Sequence, residues 1–254
     1  MKKIILIFCL SFFVFSLLTA QGIKDTLLIQ KENKWNLGVY ISPNYSYRKL
    51  IASDLPSSRQ YINYLNSLEL PRWKYGYGFS IKYKINKKLY FNTGLSFYHM
   101  RYESKLLDSL SFEPIGNAGQ QAIAFNCKYN YKYSIISIPL CFEYLFTKQQ
   151  GLSYGIGAGI DIYDYSNYIY SIASVKNSKV IYSEKLIASH RLRFLGNVFL
   201  EMNYSFPGNK ILLHFDPGFI YTTLNDLELR PLSITDHLYS FEFKVGISLK
   251  INSK

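Results

Sequence analysis

Past residue 18 this chain has no apolar run approaching the roughly 20 residues that a membrane-spanning helix needs, which leaves no place for such a helix in the body of the protein. Cysteine is scarce too, with three in 254 residues, one of them Cys9 in the first apolar stretch. Only Cys127 and Cys141 remain for an oxidising compartment, too few for a disulfide-stapled scaffold, and we expect two unpaired thiols. The four histidines fall at no metal-ligating spacing, so no metal and no cofactor are expected. Acidic residues number 17 against 29 basic ones, a formal net charge of +12, or +10 with Lys2 and Lys3 set aside (12 − 2). The positive residues are scattered, without a Lys/Arg block or an aromatic nucleic-acid signature. A nucleic acid is therefore not expected; an acidic lipid or lipopolysaccharide surface is the natural partner.

Aromatic side chains are what the chain has in excess: 17% of it, with 24 Tyr and 18 Phe, inside a hydrophobic total of 48%. Much aromatic content without long apolar runs is what a membrane β-barrel requires, because its girdles use Tyr and Phe while alternation dilutes its other apolar residues. The first residues agree with export. Lys2 and Lys3 precede an apolar run from Ile4 to Leu18, and Thr19, Ala20 and Gln21 form a cleavage-like end. The expected organisation is a signal peptide over 1–20, a periplasmic leader over 21–34 and an outer-membrane barrel domain over 35–254.

The last strand sets the template. Tyr239, Phe241, Phe243, Val245, Ile247, Leu249 and Ile251 fall on one face, and Ser240, Glu242, Lys244, Gly246, Ser248 and Lys250 on the other. Seven more segments repeat the pattern, starting near Trp35, Tyr75, Leu89, Ile136, Leu152, Leu192 and Ile211. Pro139 and Pro217 each remove a ladder donor, so a bulge or kink is expected near each. Connections after the second, fourth and sixth strands are short. Those after the first, third, fifth and seventh are long: 48–74, 100–131, 164–189 and 224–236. That parity, with eight strands, predicts an all-β fold: an eight-stranded antiparallel up-and-down transmembrane β-barrel with short periplasmic turns and long external loops. Pro56 and Ser57, followed by Tyr61, Tyr64, Leu65 and Leu68 at helical spacing, suggest a short helix in the first loop. In the third loop, Tyr168–Val175 and Val180–Ile187 are expected to carry the fifth and sixth strands above the membrane.

Several short stretches also carry a family likeness: Thr19, Ala20 and Gln21; Trp35 to Val39; Leu89 to Tyr98 with Thr93, Gly94 and Leu95; and Ile138, Pro139 and Leu140 before Phe142 to Phe146. In these the chain resembles the PorT-like outer-membrane β-barrel family of Bacteroidetes. The resemblance implies an outer-membrane barrel, some of whose relatives are associated with protein secretion or gliding. It carries over no catalytic residue.

Chemistry-bearing sets are few, and no enzymatic activity is expected. His214 and Asp216 share the inward face of the seventh strand and could polarise each other, with Ser or Glu from neighbouring strands completing a hydrolase-like set. Inward Lys82, Lys84, Glu143, Asp161, Arg191, Arg193, Glu201, Glu242 and Lys244 supply both signs, however, and a structural network in a narrow lumen is the better reading. His99 points outward near the external interface, where a lipid-modifying barrel could place a catalytic group; no Ser or carboxylate stands out as its partner. Gly155 and Gly157 sit within a strand, so they make space for bulky neighbours such as Tyr90 and Arg193 rather than a phosphate loop. The functional expectation is a monomeric outer-membrane barrel with a filled lumen. It would act as a structural, interaction or secretion-associated component, with a protein partner at its external loops or periplasmic side. The alternatives are a lipid-modifying enzyme and a small-solute pore.

Overall fold

The computed structural model describes residues 34–52, 56–112, 121–149, 151–185, 193–206, 210–224 and 234–251. The expected signal peptide, most of the leader and the turn at 207–209 lie outside them. Among the described residues there are ten strands and one helix: β1 (Trp35–Ala52), α1 (Pro56–Leu68), β2 (Glu69–Lys84), β3 (Leu89–Ser104), β4 (Leu107–Phe112), β5 (Ala122–Gln149), β6 (Leu152–Ser174), β7 (Val180–Lys185), β8 (Arg193–Ser205), β9 (Ile211–Leu224) and β10 (Ile234–Ile251). Eight of these close a ring in the order β1-β2-β3-β5-β6-β8-β9-β10, with every neighbouring pair antiparallel. The seam runs from Trp35 opposite Ile251 to Ala52 opposite Ile234. Closing on itself leaves the ring no edge strand, so its backbone donors and acceptors pair within the sheet.

Alternation decides which residues face in. On β1, Val39 and Ile41 are exposed while Tyr40, Ser42, Asn44, Ser46 and Arg48 are buried; on β8, Phe194, Val198 and Leu200 are exposed while Leu195, Asn197, Phe199 and Glu201 are buried. On these strands the faces expected from the sequence are the faces observed; Arg191, expected to face inward, lies outside the described residues. The short β2–β3 turn is held by Asn86, whose Oδ1 accepts from the backbone N–H of Lys88 and Leu89, both at 2.9 Å. Gly151, with φ +87°, takes the turn between β5 and β6, where a residue with a Cβ would be strained.

The first two long connections carry more strand than expected: β1 runs on to Ala52, β2 begins at Glu69, β3 reaches Ser104 and β5 begins at Ala122. β6 reaches Ser174, the continuation above the membrane expected of the fifth ring strand. β4, unforeseen, pairs with the beginning of β5. Val180–Lys185 does not continue β8; it forms β7 and folds back on β6. The sheet therefore rises above the ring as a lobe of β4, β5, β6 and β7. The expected helix is present as α1. Its Ile62 and Leu65 pack on Leu50, while Asn66 exchanges two hydrogen bonds, of 2.8 and 2.9 Å, with the Leu50 backbone.

Neither Pro139 nor Pro217 brings the expected bulge. The β3–β5 ladder passes from Thr93 opposite Leu140 to Ser96 opposite Ser137 in one register, and β8–β9 from Phe199 opposite Gly218 to Met202 opposite Phe215. A missing N–H interrupts pairing with one neighbour without adding a residue. Register shifts fall instead between Pro71 and Gly76, Ser134 and Ile135, Leu145 and Thr147, and Ile172 and Ala173.

Candidate functional site

Inside the ring the polar alternates meet. Lys82 on β2 reaches Glu143 on β5 at 2.6 Å and Glu201 on β8 at 2.5 Å. In the eight-strand ring β2 and β8 stand four places apart, on opposite walls, so this one ammonium bridges the lumen. Asn92 Nδ2 donates to Glu143 Oε1 at 2.7 Å, beside the oxygen that faces Lys82, whereas Asn203 Nδ2 donates at 2.5 Å to the same Glu201 Oε1 that Lys82 reaches. A second knot pairs Lys244 with Glu242 at 3.5 Å. Beside it, Asp161 accepts from Ser137 at 3.2 Å, from Tyr98 at 3.4 Å and from Asn197. Each of these buried charges has a counter-charge or hydrogen-bond donors beside it, the condition on which it is tolerated away from water.

Glycine sets where bulky groups lie. A Cβ on Gly157 would collide with the Phe199 ring, one on Gly78 would meet the Tyr40 hydroxyl at 2.6 Å, and one on Gly246 would strike the His214 ring. Phe199, not Tyr90 or Arg193, fills the space beside Gly157. His214 Nδ1 lies 3.2 Å from Asp216 Oδ2, as their spacing on one face suggests. No Ser or Glu hydrogen-bonds this imidazole among the described residues, so a hydrolase-like set is not assembled there. Voids of about 20 Å³ beside His214 and about 60 Å³ near Gly151 lie in the lumen, room for single waters or a few rather than for a solute.

Toward the external mouth tyrosines replace charges. Tyr98, Tyr102, Tyr133, Tyr163, Tyr165 and Tyr168 form one buried cluster with Met100, Ile135 and Leu195. Tyr133 and Tyr168 stack at 4.5 Å. Arg48 enters this cluster with its guanidinium 4.3 Å from the Tyr131 ring centre and is bound to Glu69 through Nε at 2.9 Å. Higher still, Cys127 is buried with Leu107, Tyr129 and Ile172 in the lobe, and burial raises its thiol. Cys127 and Cys141 are both free and lie on the same strand, 14 residues apart, too far along an extended chain to meet.

The outer surface is the reverse of the lumen. Val39 is 64% exposed, Ile41 62% and Phe194 59%, values a soluble sheet face does not carry in a continuous band. Aromatic residues bound the band: Trp35 against Tyr83 at 4.6 Å at one end, Tyr45 against Trp73 at 5.1 Å at the other. The ten residue steps from Trp35 to Tyr45 span roughly 33 Å of strand, about 25 Å once tilted, the height of a lipid-facing band. A closed ring with such a belt and such girdles has one setting. The chain is an outer-membrane β-barrel.

At the upper girdle His99 does have a hydroxyl partner. Its Nδ1 lies 3.1 Å from Ser134 Oγ across the β3–β5 pair, with the Tyr75 ring edge-on at 6.0 Å. Alternation from Ile136 already put Ser134 on the outer face; only the register, which the sequence does not display, brings it to His99. No carboxylate hydrogen-bonds that imidazole among the described residues.

No protein-family model matches the chain, and a search of curated proteins finds no match, so the likeness to PorT-like barrels stays one of residues. Among solved structures it is similar to neisserial surface protein A, with 14% identity over 84% of this chain and 97% of that one and a TM-score of 0.41. It is likewise similar to the outer membrane protease OmpT from Escherichia coli (9%, covering 89% and 99%, TM-score 0.45) and to the outer membrane protein AlkL (11%, covering 92% and 98%, TM-score 0.42). No activity follows from likenesses this distant. The assignment to the membrane rests on the belt.

Proposed function

We propose that this barrel is a filled, monomeric scaffold that works through its external lobe, as an interaction or secretion-associated component in the manner the PorT-like resemblance suggests. The signal peptide over 1–20 would direct its export. The observation that carries the reading is the Lys82 bridge: a lysine tied to Glu143 and Glu201 on separate walls obstructs the middle of the lumen, which argues against solute flow. The lobe, by contrast, offers a surface. Ile123, Phe125, Val180 and Ile181 are exposed on strands that stand above the belt, where lipid does not cover them. Planar-bilayer recording of the purified protein is the test. No steady open-channel current is expected, and a large, stable conductance would defeat the proposal.

A second reading, an outer-membrane lipid-modifying enzyme, draws on the His99–Ser134 contact at the lipid interface. An imidazole next to a hydroxyl is the beginning of a nucleophilic pair, though it lacks the group that would orient the base. Lipid mass spectra from cells carrying wild type or Ser134→Ala decide it. A lipid product present with wild type and absent with the variant would favour the enzyme; identical spectra favour the scaffold.

A further inference from the structure

Above the lipid belt, β2, β3 and β5 carry a cluster of charged side chains. Arg101 on β3 and Lys132 on β5 are cross-strand partners, two residues beyond the His99 and Ser134 pair. Arg72 donates to Glu103 at 3.0 Å, Lys128 at 3.0 Å and Arg101 at 3.4 Å. Asn130 Oδ1 holds the Arg101 guanidinium through two further bonds, of 3.1 and 2.6 Å. Lys74 lies within electrostatic reach of both Arg101 and Lys132. Three cations thus share one carboxylate and two more stand beside them: among the described residues neither Lys74 nor Lys132 has a carboxylate partner. Lys132 is exposed.

The height of this row selects its ligand. Directly below it the same strands carry Tyr75, Phe97 and Ile136 of the girdle and belt, so the cations stand where lipid head groups begin. Like charges held this close repel, and an anion between them offsets that cost. Asn130 holds Arg101 by its Nε and Nη2, which orients the guanidinium and leaves its Nη1 to donate a charge-assisted bond to a phosphate oxygen. A soluble anion would have to compete with lipids packed against the belt immediately beneath. We infer that this face of β2, β3 and β5 is a binding site for the phosphates of a phosphorylated glycolipid of the outer leaflet, with Arg101 and Lys132 as its centre. The site depends on the barrel's place in the membrane and not on what the lobe does.

The test uses the full barrel in phosphatidylcholine nanodiscs doped either with bisphosphorylated lipid A or with its dephosphorylated form. Lipid A retained per protein after detergent exchange is counted by mass spectrometry. Wild type should retain the phosphorylated form preferentially, and Arg101→Gln with Lys132→Gln should lower that retention by roughly ten- to thirtyfold, two basic residues at an anionic surface. Lys132→Gln alone removes no internal partner, so it keeps the fold and should lose about threefold to fivefold. The periplasmic-turn control, Lys87→Gln with Lys88→Gln, should retain as wild type does. Equal retention of the two lipid forms by wild type, wild-type retention by both Lys132 variants, or an equal loss in the turn control would each overturn the site.

Discussion

The lower and upper halves of the lumen solve one packing problem with different chemistry. Below, Lys82, Glu143 and Glu201 fill the interior with charge; above, Tyr98, Tyr102, Tyr133, Tyr163, Tyr165 and Tyr168 fill it with rings. The lower half is walled by lipid on the outside and must find partners for its charges from within. The upper half stands near water, and there α1 and the lobe strands add apolar cover from Ile62 and Leu107. The two halves should therefore fail differently. The charged half breaks when one member is lost, whereas the aromatic half should lose packing gradually.

Lys82→Met sharpens that contrast most. It leaves Glu143 and Glu201 facing one another without a cation, and should cost about 3 to 5 kcal/mol. Urea titration of the barrel refolded in lipid vesicles, followed by heat-dependent gel migration, measures it. Adding Glu143→Gln and Glu201→Gln should recover most of the loss. A triple variant as unstable as the single one would mean that packing rather than charge holds the lower lumen. Glu201→Ala comes next. Lys82 keeps Glu143 as a partner there, so the expected cost is about 1 to 3 kcal/mol in the same titration.

What the sequence made legible follows from period two. Alternation placed Ser42, Glu143, Asp161, Glu201 and Glu242 inside, and the short-long rhythm of the connections placed the ring's turns and the lobe at opposite ends. Register is set by pairing between strands, and no period within one strand displays it. Hence Lys82 could be placed in the lumen but not matched to Glu201 on the far wall, and His99 was placed outside without Ser134. β4 escaped for a related reason. Leu107–Phe112 is six residues with a partial alternation, and only its pairing with β5 makes it a strand.

In the upper half, Ile62→Ala should have a smaller and more local effect. The side chain joins α1 to Leu50, so its loss frees the helix from β1 while the ring below keeps its ladder. About 2 kcal/mol of local stability is at stake. Limited proteolysis in intact vesicles should cut within α1 faster than in wild type, with the urea midpoint of the barrel nearly unchanged. A midpoint shift as large as that of Lys82→Met would erase the distinction between the two halves.

The smallest expected effect lies above the lipid belt, at Glu103. Burial alone would raise its carboxyl, but hydrogen bonds and charge from Arg72 and Lys128 outweigh it and hold the pKa at about 2, below the usual 4.5. A carboxylate depressed on folding contributes fully above pH 4.5, progressively less as pH falls toward 2, and nothing below that. Its partners are partly exposed, so the contribution should stay under about 1 kcal/mol and shrink in high salt. Hydrogen-exchange protection factors across Arg101–Ser104, corrected for intrinsic rates, should fall between pH 5 and pH 2.5 in wild type. In Glu103→Gln they should already be low at pH 5 and stay flat. If the variant keeps the wild-type pH dependence, other groups govern the end of β3, and the Glu103 cluster serves the surface rather than the stability of the strand.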